Sequence, residues 1–209
     1  MGDSYLEPLL THFQRYIHVH QVDIDDPLRL PHEARRYLLE SMPEVDLLLY
    51  LEDDLVVQDR LFVDKLFWFL ERTGHKMVLM PHRYELTGDR ISPRLFVDGP
   101  IAVDFLEGLG RPPRERVAQG RFWDGQEVLF DLASNPHSGC FAVSRQQRKI
   151  LCDLGVADEG FVGPLETVAT YTVLQHFPVV KPAWCSRDFL LIEHAHPSFL
   201  LHRPVLPRA

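Results

Sequence analysis

Cysteine is scarce in this sequence, and its few cysteines lack the spacing of a cross-linked or metal-binding framework. Cys140, Cys152 and Cys185 form an odd, widely spaced set without a C-x-x-C pair. A disulfide framework or a thiolate zinc site is therefore not expected, and we predict buried thiols instead. The glycine loops G-x-G-x-x-G and G-x-x-x-x-G-K-[ST] are absent as well, which excludes two common ways of holding a nucleotide phosphate.

Positive charge is outnumbered, and long apolar runs are missing. Lys and Arg total 22 against 30 Asp and Glu, which gives a formal net charge of -8. Such a balance repels a phosphate backbone, so nucleic acid and anionic membranes are not expected as main partners. No run approaches the roughly 20 apolar residues of a membrane span, and the amino terminus has neither a basic start nor an apolar signal core. We therefore predict no transmembrane segment and a cytoplasmic location.

The remaining composition is that of an ordinary soluble globular protein, with 45% hydrophobic and 25% charged residues. A prior of about 150 residues per domain predicts that the 209 residues form a single domain, residues 1–209, with a substantial core.

Apolar periodicity predicts alternating helices and strands in the first part of the chain. Helices are expected over residues 5–16, 31–42 and 61–70, and strands over 17–24, 46–51 and 76–80. Pro43 is expected to stop the second helix, and Asp59 to cap the third. The strand DLLLYL, residues 46–51, is a continuous apolar run of the kind that is buried on both faces of a parallel sheet.

The second part of the chain is richer in breakers. Glycine and proline are dense over residues 81–135, which predicts an irregular lobe of loops and short strands. Strands are expected over 140–143, 177–180 and 188–193, and a helix over 163–174. Ser144 and Gln147 have the spacing of a capping box, which begins a further helix that Gly155 would end. The predicted class is α/β, a mostly parallel sheet flanked by helices.

Three adjacent acids, Glu52, Asp53 and Asp54, follow directly on the DLLLYL strand. The carboxyl end of a buried strand is where open α/β sheets bind ligands, and a divalent cation relieves the repulsion between neighbouring carboxylates. Mg²⁺ or Mn²⁺ suits such hard oxygen ligands, with water and substrate phosphate oxygens completing the shell. The alternative is a solvated acidic turn.

The segment DLLLYLEDDLVV resembles the metal-binding D-x-D strand end of GT-A fold glycosyltransferases, which use nucleotide-diphosphate sugars. Three later segments are similar to further parts of such enzymes, in the same order: NPHSGCFAVSR (135–145) to the acceptor-side loop and strand, GPLETVAT (163–170) to the acidic helix start, and IEHAH (192–196) to the carboxy-terminal metal histidine. The resemblance implies a Rossmann-like GT-A domain with a nucleotide and metal half, 1–80, and an acceptor half, 81–209.

Carried onto this chain, the resemblance makes Asp54 the first metal ligand. Asp53 or Glu52 would contact the ribose, or the metal through water. His194 would be the distal ligand, with His196 as the alternative on the same strand face. An imidazole among carboxylates favours Mn²⁺ over Mg²⁺. The implied partners are a nucleoside-diphosphate sugar donor and a hydroxyl acceptor, either a glycan or a small molecule.

Two residues are candidates for the catalytic base. In the resembling enzymes, an acid at the position of Glu166 takes the proton of the acceptor hydroxyl or binds the acceptor. A helix start also favours Glu for its dipole alone. Asp124 is the second candidate, because its carboxylate can accept hydrogen bonds from a sugar that stacks on Trp123 beside it. The alternative is that Trp123 is an ordinary buried residue. Arg83, Arg187 and Lys181 are candidates to neutralise the diphosphate, and solvated surface charge is the alternative for each.

The expected activity is therefore sugar transfer from a nucleoside diphosphate. Only 51 residues precede the acidic motif, whereas the resembling enzymes have about twice as many and begin with a strand that lines the nucleoside pocket. We accordingly expect an amino-terminally truncated domain. This leaves two alternatives open, a catalytically inactive remnant or binding protein, and a metal-dependent phosphoryl transferase or phosphatase.

Overall fold

The computed structural model describes residues 16–41, 44–91, 93–99, 101 and 103–201. The helix expected over 5–16 therefore falls, except for Tyr16, outside the described residues, as do Met42 and Pro43 at the end of the second predicted helix.

Helices and strands alternate along the described chain. The helices are α1 (Leu30–Ser41), α2 (Phe62–Arg72), α3 (Val103–Gly108), α4 (Arg145–Leu154), α5 (Pro164–Glu166), α6 (Thr172–Leu174) and α7 (Ser198–Leu201), with 3-10 turns at Pro27–Arg29 and Trp184–Phe189 and a π-helical turn at Thr167–Tyr171. The strands are β1 (Leu47–Leu51), β2 (Leu55–Val56), β3 (Val78–Leu79), β4 (His82–Leu86), β5 (Arg94–Phe96), β6 (Arg114–Arg121), β7 (Glu127–Leu132), β8 (Cys140–Ser144), β9 (Val179–Pro182) and β10 (Leu191–His194).

The strands pair in three groups. β1 pairs with β8, a second group has the order β2-β10-β4-β5, and a third has the order β3-β9-β7-β6. β4 with β10 and β3 with β9 are parallel, whereas the other described pairings are antiparallel. The α/β prediction is confirmed at the level of mixed sheets with helices. The expectation of a mostly parallel sheet is not, because hairpins and strand returns from the glycine-rich lobe supply antiparallel partners.

The β1–β8 pair lies between two hydrophobic clusters. Leu48 and Tyr50 of β1, with Phe141 of β8, pack in a cluster that includes residues of α1 and α4. Cys140 and Ala142 of β8 face the other cluster, which is built on α2. Burial on both faces explains why β1 is an almost continuous apolar run. It also means that the first position free to carry a charge is the one after the strand, which is Glu52.

Several boundaries follow from local chemistry. Ser144 and Gln147 form the expected capping box, and Gly155 ends α4 at a φ of 78°. The helix expected over 163–174 is present as α5 and α6, joined by the π-helical turn, which the apolar spacing does not reveal. The expectation that Asp59 caps α2 is wrong, because the N-cap is Leu61 and no side chain caps the helix. Asp59 instead accepts a hydrogen bond from the Leu61 amide.

The strand expected over 17–24 is wrong. These residues have no regular secondary structure, and Ile17 and Val19 are exposed. His18 and His20 instead stack against Tyr37 of α1. An alternating pattern makes a strand only where a neighbouring strand satisfies its backbone groups, and no such partner pairs with this segment among the described strands.

The cysteines differ partly from the prediction. Cys140 is buried, and burial raises the pKa of its thiol to about 12, so it stays protonated. Cys152 and Cys185 are exposed rather than buried, and all three are free thiols.

Candidate functional site

The acidic turn after β1 is held against the start of β8. The Glu52 amide donates to the Gly139 carbonyl at 3.0 Å, and the Leu55 amide donates to the Glu52 carbonyl at 3.3 Å. Gly139 has a φ of 65°, and a Cβ at this position would lie 2.5 Å from Oε2 of Glu52. Glycine is therefore required here both for the backbone conformation and for the passage of the Glu52 side chain.

Charged groups from four segments converge around Glu52. Burial, reinforced by the charge of Asp54, raises the pKa of Glu52 to about 7, and the charge of Glu166 acts in the same direction. Arg83 and His194 oppose the shift. The structure thus brings together five of the predicted site residues, and it places a carboxyl group poised between its two protonation states beside two other carboxylates.

His194 is fixed between two carboxylates. Its Nε2 atom lies 3.1 Å from Oδ2 of Asp54, and its Nδ1 atom lies 3.0 Å from Oε1 of Glu85. Glu85 is 1% exposed and also accepts hydrogen bonds from the amides of Phe199 and Leu200. Although burial opposes ionisation, these donors and His194 hold the pKa of Glu85 below its usual value. The ionised Glu85 orients Nδ1–H inward, so Nε2 is the nitrogen that faces Asp54.

Two carboxylate oxygens of this cluster have no partner. Glu52 Oε1 and Asp54 Oδ1 are both buried atoms without a hydrogen bond. Buried acceptors are nearly always satisfied, so each unpaired atom needs an explanation, and a bound ion or water is one. Within the described part of the chain, however, no group of three or more His, Cys, Asp and Glu side chains is arranged to hold a metal ion. Asp54, Glu52 and His194 therefore supply only part of a coordination shell. Substrate oxygens and water would have to supply the rest.

Asp53 and His196 lie at the margin of the cluster. Asp53 is exposed, and its charge, after burial and the charge of Glu52, contributes to raising the pKa of Tyr50 above its usual value. His196 is exposed and pairs with the Ser198 hydroxyl through Nδ1 at 2.5 Å. Of the two histidines considered from the sequence, His194 is therefore the one that the fold aims at the acids.

Glu166 ends α5, at the entrance of the π-helical turn. Its Oε2 atom lies 2.8 Å from where a Cβ on Gly163 would stand. The π-helical turn then carries Thr170, whose hydroxyl lies 2.6 Å from Nδ1 of His137. Wide turns of this kind are frequent at functional sites because they re-aim side chains. Glu166 shares the electrostatic environment of Glu52, as a base near a metal-bound donor would.

Arg83 is buried and has a fixed internal partner. Its Nε donates to Oδ1 of Asp98 at 2.9 Å, and Lys181 donates to Oδ2 of the same carboxylate at 2.7 Å. Despite burial, which favours the neutral acid, the charges of Lys181 and Arg83 hold the pKa of Asp98 below its usual value. Arg83, the predicted diphosphate ligand, is thus held by Asp98, and its charge opposes the rise in the pKa of Glu52.

Arg187 and Asp124 make their contacts in other places. Arg187 lies over the Trp184 ring at 4.8 Å and donates to the Trp184 carbonyl. Asp124 is exposed in the loop between β6 and β7, where its Oδ1 accepts from the Gln126 amide, and Trp123 beside it is stacked on Phe122. None of the described contacts joins either residue to the acidic cluster, so both assignments stay predictions.

Sequence reasoning missed three polar residues of this region: Glu85, Asp98 and His137. Lys181, a candidate for the diphosphate, is instead paired with Asp98. Arg83 and Glu85 two positions apart on β4 were the available signal, because a strand that buries two charges on one face must pair them internally. His137 is recognisable only through its surroundings, since burial and the charge of Arg83 lower its pKa to about 3.

Comparison with protein-family models, with curated proteins and with solved structures found no match. No helix among the described residues has both the length and the apolar character needed to cross a membrane.

Proposed function

We propose that this chain is a metal-dependent glycosyltransferase that moves a sugar from a nucleoside-diphosphate donor to an acceptor hydroxyl. The observation that carries the proposal is the 3.1 Å approach of His194 Nε2 to Asp54 Oδ2. These two residues lie in the acidic segment after β1 and in the IEHAH segment, which are the two segments that the resemblance to GT-A fold enzymes assigns to metal binding. The resemblance was drawn from sequence alone. The contact between these two segments, which are far apart in sequence, supports it.

In this proposal, Asp54 and His194 would bind a divalent cation directly, and Glu52 would contact it through water. The cation supplies Lewis-acid stabilisation of the negative charge on the departing diphosphate. The unpaired oxygens Glu52 Oε1 and Asp54 Oδ1 support this assignment. Mn²⁺ is favoured over Mg²⁺ because one ligand is an imidazole. Asp53, exposed at the edge, is left to contact the ribose.

Glu166 acts as the base toward the acceptor hydroxyl. General-base catalysis needs a carboxylate within hydrogen-bond reach of that hydroxyl. The charge of Glu166, which acts on Glu52, supports this assignment. A phosphoryl transferase would also use clustered carboxylates, but it would give no role to a third acid on a separate helix.

Donor binding and donor turnover test the proposal. We expect the purified chain with Mn²⁺ to bind UDP or GDP in titration calorimetry, and to hydrolyse the matching sugar nucleotide slowly. EDTA should abolish both. Binding without hydrolysis would identify the inactive binding protein. Absence of binding to either nucleotide would contradict the proposal, and release of phosphate from simple esters would identify the phosphoryl transferase.

A further inference from the structure

A cavity of about 420 Å³, lined by both polar and apolar side chains, lies at the carboxyl end of β9. His82, Asp98, Asn135, Lys181 and Trp184 are among the residues that line it. The volume falls within the range of small-molecule sites, roughly 300–1,000 Å³. None of the proposed metal ligands lines it, so the cavity is separate from the cation site.

The lining is nearly balanced in charge. Its cationic side chains are Arg114 and Lys181, and its anionic ones are Asp98, Glu115 and Asp131. Asp98 is consumed by its ion pairs with Arg83 and Lys181. A cavity with no surplus of positive charge does not suit a phosphate or diphosphate. It suits a neutral ligand.

The polar groups of the lining offer donors and acceptors side by side. His82 Nε2 lies 2.7 Å from the Pro182 carbonyl, which can only accept, so Nε2 carries the hydrogen. Burial and the charge of Lys181 lower the pKa of His82, which keeps the ring neutral and leaves Nδ1 as an acceptor. Lys181 has three N–H donors, and two of them point to Asp98 and to the His137 carbonyl. The third N–H of Lys181 remains available as a donor.

An exposed aromatic ring stands at one side of the cavity. Trp184 is 58% exposed, although its ring contacts Phe96 at 5.0 Å and His82 at 6.0 Å in edge-on geometry. These contacts fix the indole at its edge, and Arg187 lies over the ring at 4.8 Å, so one face at most is open to a ligand. A rigid indole beside mixed donors and acceptors matches a sugar, which has an apolar ring face and a rim of hydroxyl groups that donate and accept.

The cavity is joined to the candidate site by buried charges. Asp98, in its lining, is paired with Arg83, whose charge acts on Glu52. Lys181, also in the lining, holds the carbonyl of His137, and His137 contacts the π-helical turn that follows Glu166. A chain of contacts thus runs from the cavity lining to the π-helical turn that follows Glu166.

We propose that this cavity binds a neutral carbohydrate, with Trp184 as its stacking surface, and that this carbohydrate is the hydroxyl acceptor. The acceptor role rests on the proposed function, whereas saccharide binding itself does not.

Saccharide binding is tested without metal or nucleotide. The probes are methyl glycosides of glucose, galactose, mannose and N-acetylglucosamine, followed by saturation-transfer NMR and by tryptophan fluorescence of the full chain. We expect at least one glycoside to bind. Trp184→Ala should weaken it by about tenfold or more, and the fold should survive because the side chain is largely exposed. Trp123→Ala is the matched control, because Trp123 is 68% exposed and lies in the β6–β7 loop.

Each result decides a different point. Failure of all four glycosides to bind the wild-type chain, or equal binding by Trp184→Ala, would overturn the carbohydrate site. Loss of binding in Trp123→Ala alone would also overturn it and would move the saccharide to the hairpin loop. With an active donor, Trp184→Ala should raise the acceptor KM and leave donor hydrolysis unchanged. Saccharide binding by a chain that binds no nucleotide would uphold the site and contradict the glycosyltransferase.

Discussion

His194 reaches back to the acidic turn after β1 and places Nε2 3.1 Å from Oδ2 of Asp54. The same ring is held from behind by Glu85 at 3.0 Å. A carboxylate behind a histidine fixes the tautomer and makes the facing nitrogen a better ligand, an arrangement common at metal sites. In the absence of metal, the same geometry is an ordinary ion pair. Titration with Mn²⁺ distinguishes the two descriptions.

Asp54→Asn should abolish metal-dependent nucleotide binding and leave the fold intact. Asp54 follows the strand and its side chain is 41% exposed, so its removal costs little packing. The loss should exceed the 10- to 100-fold of a residue that only supports a ligand, by roughly an order of magnitude. Calorimetry of UDP or GDP with Mn²⁺ measures it. Asp64→Asn, an exposed acid in the first turn of α2 with no role in the proposed site, is the matched control. Equal losses in both variants would mean that only general negative charge is involved.

Glu85→Gln should lower both stability and Mn²⁺ affinity. The carboxylate accepts from two backbone amides of α7 and from His194, and an amide group cannot accept on both of its arms. We expect a destabilisation of about 1–3 kcal/mol and a fall in Mn²⁺ affinity of about 10- to 100-fold. Thermal unfolding and metal titration provide the readouts.

The control for Glu85 is Glu193→Gln. Glu193 lies beside His194 on β10 and accepts a hydrogen bond from Gln58 at the surface, so this variant should behave like the wild type. If Glu85→Gln kept full Mn²⁺ affinity after its stability loss had been allowed for, Glu85 would support the fold but not the orientation of His194.

The sequence predicted the elements whose signals are local. The apolar run of β1, the capping box of Ser144 and the stop at Gly155 are each contained within a few residues, and all three are present. The alternation over residues 17–24 was equally clear, yet it produced no strand, because pairing depends on a second segment that the pattern does not contain. Whether a strand pairs in parallel or antiparallel also depends on its partner strand. The prediction of a mostly parallel sheet failed for this reason.

The candidate site divides in the same way. Glu52 and Asp54 were identifiable because they follow an apolar strand, whereas His194 was implied by the resemblance. Asp98, and its pairing with Lys181, were not identifiable, because that contact joins segments that are far apart in sequence. A buried charge can be identified only when its ion-pair partner is known, and a single sequence does not show which residues pair.

Acidification should destabilise the fold through His137. Its pKa is lowered to about 3, first by burial and then by the charge of Arg83, whereas an unfolded histidine titrates near 6.5. The unfolded state therefore binds the extra proton first. Stability is complete above about pH 6.5 and falls as the pH drops toward 3, by at most about 1.4 kcal/mol per pH unit.

Urea unfolding between about pH 5 and 7 measures this loss. His137→Asn keeps a polar atom near the Thr170 hydroxyl and removes the titration, so it should flatten the pH dependence. His82 also has a lowered pKa and will leave a residual slope. A slope identical to that of the wild type would show that His137 is not buried in its neutral form.

Glu166→Gln should spare donor binding and suppress sugar transfer. The amide cannot take a proton, and general-base catalysis contributes typically 10²–10⁴-fold, so transfer should fall by about that factor. Nucleotide affinity with Mn²⁺ should change little, because Glu166 touches the metal cluster through its charge alone. Asp124→Asn is the comparison, since Asp124 is the rival base. Its exposed position in the β6–β7 loop predicts transfer at the wild-type rate. Reversal of the two results, with Asp124→Asn inactive and Glu166→Gln active, would move the acceptor to the hairpin loop and with it the proposed carbohydrate site.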